Sequence, residues 1–126
     1  MKFLKYLIVM MLIFNTSAFA DINVVGVWGS SDDGGKTFWG FDEFKEDGTV
    51  KSWGVIPESN LRIELEATYE VVSESKEIKN CLEITKTSTP VIMPIGTYWC
   101  DTIIRVDDKV LVFKSDDGVV TTLYKQ

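Results

Sequence analysis

Cys81 and Cys100 are the only cysteines of a 126-residue chain that contains no histidine. A cysteine pair with no imidazole nearby is a poor metal set, and in an oxidising compartment it reads as one disulfide. With 18 residues between the two cysteines, the chain-entropy estimate for closing that loop is about 3 kcal/mol. The missing imidazole also removes Ser-His and Cys-His nucleophiles. Carboxylates are the remaining reactive groups. Asp32-Asp33-Gly34, Asp107-Asp108 and Asp116-Asp117-Gly118 invite a calcium reading, but none has the spaced oxygen ligands of an EF-hand loop. Turn chemistry is the better account of all three. No glycine loop suited to phosphate and no basic stripe occurs. The expectation is a protein that is not an enzyme, with no catalytic residues, no cofactor and no metal.

That leaves binding, for which the aromatic residues are the candidates. Residues 21–126 hold 11 large rings, enough to favour a filled interior in a small β domain. Trp39, Trp53 and Trp99, with Ile92 and Met93, are the candidate contacts for a ligand or partner. Between Thr37 and Lys45 the rings alternate onto both faces, Phe38 and Phe44 against Trp39 and Phe41. Both sets cannot enter one core without an irregularity, so Trp39 or Phe38 is expected to be exposed.

The elements that must position these residues begin after a leader. Met1 to Lys5 is a basic start, Tyr6 to Phe14 an apolar run, and Ala18-Phe19-Ala20 a small-x-small cleavage site, so residues 1–20 read as a signal peptide. The uncharged span from Tyr6 to Ala20 has 15 residues, short of the roughly 20 that a membrane-spanning helix needs. A single domain over residues 21–126 follows, exported to the periplasm or secreted, with no stable membrane anchor. Loss of Lys2 and Lys5 leaves 11 basic against 19 acidic side chains, a net charge of −8. That balance argues against nucleic acid.

Short extended segments then recur with turn signals between them. They are Ile22–Gly29, Thr37–Glu46, Thr49–Ile56, Leu61–Val72, Ile78–Lys86, Thr97–Val106, Lys109–Ser115 and Val119–Lys125. The fourth alternates most cleanly, with Leu61, Ile63, Leu65, Ala67, Tyr69 and Val71 on one face. If Cys81 faces Cys100 across an antiparallel pair, Leu82 opposes Trp99 on one face and Glu83 opposes Tyr98 on the other. The bridge then lies on the outer, Glu83 side. The expected fold is all-β, an antiparallel eight-stranded up-and-down barrel, with a two-sheet β-sandwich as the alternative. Thr87 to Gly96 interrupts the meander with a proline-bracketed apolar loop. It reads either as a plug, with Val91, Ile92 and Met93 folded over a barrel end, or as a lid or partner-binding loop.

Gly26-Val27-Trp28 on the opening strand, followed by Phe44-x-x-Asp47-Gly48-Thr49-Val50, resembles the exported lipocalin-like barrels of the calycin superfamily. The resemblance implies that Gly26 and Trp28 are structural and that the indole packs across the closed end under a basic side chain from a late strand, Arg105 or Lys125. The end Asp117 to Leu123 is also similar to the last strand of the short periplasmic metalloprotease inhibitors of the same superfamily. Two functions follow as expectations. One is an exported carrier of a small apolar ligand. The other is a protein-binding inhibitor or immunity-type module acting on a secreted enzyme.

Overall fold

The computed structural model describes residues 22–126, so the leader read over residues 1–20 lies outside it. Eight strands follow in order: β1 (Gly26–Ser30), β2 (Gly40–Phe44), β3 (Thr49–Ile56), β4 (Leu61–Glu74), β5 (Glu77–Thr87), β6 (Tyr98–Val106), β7 (Val110–Lys114) and β8 (Val120–Lys125). Each pairs antiparallel with its sequence neighbour, and β8 returns to β1, with Trp28 opposite Lys125 and Ser30 opposite Leu123. The fold is therefore all-β, an up-and-down closed barrel. The sandwich alternative fails on that β1–β8 seam, which leaves no free edge.

Turn chemistry sets the corners. Asp47 Oδ1 accepts from the Thr49 amide at 3.0 Å, and Asp107 Oδ1 accepts from Lys109 and Val110 at 2.8 and 2.9 Å. Asp33 accepts from the Lys36 and Thr37 amides at 3.0 and 2.9 Å and from the Thr37 hydroxyl. These bonds hold Thr37 in the β1–β2 loop, and β2 starts at Gly40 rather than Thr37. The acidic turns are thus occupied in main-chain capping.

β1 also starts later than the valine-rich sequence suggests. Gly26 has φ +137°, and a Cβ there would stand 1.9 Å from Lys125 Nζ. The lysine could move aside, but the backbone conformation itself is one that side chains resist. The bend sends Ile22–Val25 across the barrel end instead of up its wall. Val24 is buried there and its carbonyl accepts from Trp28 Nε1 at 2.8 Å. Trp28, 1% exposed, sits in one core cluster with Val24, Phe44, Val50, Ala67, Ile84, Leu111 and Leu123. Lys125 Nζ lies 4.7 Å from the indole centroid, so of the two basic residues considered it is Lys125 that covers Trp28.

Cys81 and Cys100 are bonded, and their register sets Leu82 opposite Trp99 and Glu83 opposite Tyr98. Leu82 and Trp99 turn inward, which places the disulfide on the outer wall. Among the described residues no helix is long and apolar enough to cross a membrane.

Candidate ligand cavity

Strand alternation decides what the interior contains. On β2 and β3 the inward positions are Gly40, Asp42, Phe44, Val50, Ser52, Gly54 and Ile56, three of them glycine or serine. Gly54 is placed by close approach: a Cβ would stand 2.5 Å from the Trp39 carbonyl oxygen and 2.6 Å from the Gly40 Cα. Ile63, Leu65 and Ala67 continue the wall on β4, and Asn80, Leu82 and Ile84 on β5. Trp99, Asp101 and Ile103 follow on β6, then Leu111 and Phe113 on β7 and Leu123 on β8.

These walls surround a cavity of about 690 Å³. Its mouth lies between Ser30, Trp39, Pro57, Met93 and Ser115, opposite the end that Trp28 closes. The expectation of a filled interior is corrected by this cavity. The rings that were to fill it are largely elsewhere. The outward side of Gly29 is covered by Phe38, whose ring would meet a Cβ there at 2.5 Å. From Phe38 an outer aromatic row runs to Tyr124 at 6.2 Å and to Phe41 at 5.9 Å, and from Phe41 to Trp53 at 5.7 Å. Tyr98 is exposed as well.

The sequence candidates therefore separate. Trp99 and Met93 contribute to the cavity, and Trp39 stands at its rim, 39% exposed. Trp53 borders the same space, but its ring is stacked in the outer row against Phe41. Ile92 is 60% exposed and is not part of the lining. The plug reading of the loop holds for Met93, which packs against the core, and fails for Val91 and Ile92. The loop makes a compact turn, with Ile92 and Met93 amides both bonded to the Thr89 carbonyl. That turn offers only one of the three side chains to the interior.

Three polar wall residues went unnoticed in the sequence. Asp42 receives a short hydrogen bond from the Ser52 hydroxyl. The wall packed around it pushes its carboxyl above the ordinary 3.8, the Ser52 bond pulling partly back. The cavity leaves one side of Asp42 open, so it is only half-buried by surface. Asp101 accepts from Trp99 Nε1 at 3.2 Å, and burial raises its carboxyl too, with Asp116 adding repulsion. Asn80, 6% exposed, stands opposite Asp101 in the ladder, and its Oδ1 has no hydrogen-bond partner among the described residues. Asn80 and Asp101 were within reach of the sequence, since each adjoins a cysteine and the Cys81–Cys100 register puts both on the Leu82–Trp99 face.

No family model, curated protein or solved structure matches this chain. The eight-stranded antiparallel closed barrel is compatible with a lipocalin-like fold. What such a frame can do chemically is enclose a molecule: apolar walls exclude water from it, and a few polar groups orient it.

Proposed function

We propose that this chain is an exported, non-enzymatic binding protein, a lipocalin-like member of the calycin superfamily, that carries a small apolar molecule in its barrel. The observation that carries this reading is the cavity of about 690 Å³ that the strands enclose. That volume lies within the roughly 300–1,000 Å³ usual for ligand sites, and barrels of eight strands are wide enough to hold one small ligand. Calycin kinship draws support from Gly26 and Trp28 at the closed end with Lys125 over the ring. Export draws support from the disulfide on the outer wall.

The test is titration of the purified domain with 1-dodecanol below its solubility limit, read by calorimetry and tryptophan fluorescence. One-to-one binding that disappears in Ile63→Trp, which fills the cavity from β4, is the expected result. Failure of 1-dodecanol, of the neutral dye Nile red and of charged ligands of the same chain length to bind rejects the carrier reading.

A second reading is favoured by the proline-bracketed loop, where Val91 is 94% and Ile95 68% exposed. On this reading the chain is an inhibitor or immunity-type module and the loop meets a secreted enzyme. Inhibition of a secreted enzyme that is lost on joint Val91→Asp and Ile92→Asp substitution is the outcome that supports it. The N-terminal segment is a weaker contact, because Val24 is buried and the Val25 carbonyl is held by Lys125.

A further inference from the structure

The charged residues lining the cavity are Asp32, Asp42 and Asp101, and among the described residues no lysine or arginine lines it. Asp42 lies on β2 and Asp101 on β6, four strands apart in an eight-stranded barrel and so on opposite walls. Beside Asp101, across one rung of the ladder, stands Asn80, a buried lining residue whose Oδ1 has no hydrogen-bond partner among the described residues. A buried acceptor left unpaired is destabilising, and the cost falls away when a ligand supplies the missing N–H.

We infer that the cargo is an amphiphilic amine, an apolar body ending in a protonated nitrogen that Asn80 Oδ1 and the Asp101 carboxylate receive together. This rests on the carrier reading and specifies its ligand. An ammonium group matches the wall on three counts. It has several N–H donors for the two acceptors, Asn80 Oδ1 and the Asp101 carboxylate. Its charge is opposite to that of all the ionisable groups in the lining. The Trp99 indole, which lines the cavity beside Asp101, is a ring of the kind that attracts cations. A fatty carboxylate would bring a further negative charge into the same space with no base to receive it. The acidic chain as a whole, with net charge −6 before any leader is removed, favours encounter with cations in the same sense.

The experiment compares three ligands of one chain length, dodecylammonium, 1-dodecanol and dodecanoate, below their aggregation limits, by calorimetry at neutral pH and physiological salt. Dodecylammonium is expected to bind about tenfold or more tighter than 1-dodecanol, the size of one charge-assisted contact, with dodecanoate weakest. In Asp101→Asn, and in Asn80→Leu, the ratio of amine to alcohol affinity is expected to fall towards one. Reading a ratio within each variant cancels any general loosening of the barrel. Equal affinity for amine and alcohol, preference for dodecanoate, or an unchanged ratio in both variants overturns the amine assignment and leaves the carrier reading standing. Binding of none of the three removes both.

Discussion

Lys125 Nζ stands 4.7 Å from the centre of the Trp28 ring while it donates to the Val25 carbonyl at 3.0 Å. One side chain from the last strand thereby ties together the indole, the entering segment and the β1–β8 seam. Replacing it with methionine keeps the apolar stem and removes the charge. Lys125→Met is expected to cost about 1 kcal/mol in urea unfolding, from the lost cation–π contact and hydrogen bond. Trp28→Ala is expected to cost about 3–5 kcal/mol, because it empties the centre of the core.

Gly26 tests the same closed end through the backbone. Its φ of +137° is disfavoured for residues with a Cβ, so Gly26→Ala should destabilise by about 1–3 kcal/mol. The effect should persist in the Lys125→Met background, since the strain is in the chain and not in the contact with the lysine. Thermal unfolding of the two single variants and the double variant checks this.

The disulfide lies outside the cavity wall and constrains β5 and β6. Joint Cys81→Ala and Cys100→Ala substitution is expected to lower unfolding free energy by about 3 kcal/mol. Because Leu82 and Trp99 still pack inward beside the missing bridge, a variant that remains folded at low temperature should retain ligand binding. Calorimetric titration at 10 °C, alongside urea unfolding, reads both quantities.

Asp42 predicts a pH dependence of definite sign. Burial raises its folded pKa above the ordinary 3.8, so between the two values the folded state binds more protons than the unfolded one. Stability contributed by the protonated carboxyl is present in full below the ordinary value and is lost as pH rises through the raised one. Asp33 and Asp107 work the other way: main-chain and side-chain hydrogen bonds lower both, Asp107 to about 2. Their share of stability is lost as pH falls through that lowered range. Comparing wild type with Asp42→Asn isolates the one group. The wild type should lose stability relative to the variant as pH is raised from acid to neutral. Parallel curves would show that Asp42 is solvated in the folded state.

The strand count, the turns and the position of the disulfide were legible because each is local. Alternation from Leu61 to Val71 displays the wall of β4, and the Cys81–Cys100 register propagates rung by rung to Glu83 and Tyr98. Trp53 was not legible as an outer residue. Its neighbours in sequence are equally consistent with either face, and only the inward direction of Ser52 and Gly54 settles which side the indole takes. The loop from Thr87 to Gly96 failed in the same way, since its apolar residues carry no period from which a direction could be read.

From the sequence alone the chain reads as β throughout, antiparallel and stapled once, because these properties follow from spacing along the chain, whereas the place of Trp28 was implied by the resemblance and closure over a sandwich was decided by the β1–β8 seam. Whether the barrel is hollow was decided only in three dimensions. Eleven rings predict a filled interior by volume, but volume fills a core only from the inward side of each strand. The pleat sends Phe41 and Trp53 outward and leaves glycine, serine and alanine facing in, while closure sets Asp42 and Asp101 on opposite walls. Distant strands had to meet before the space between them existed.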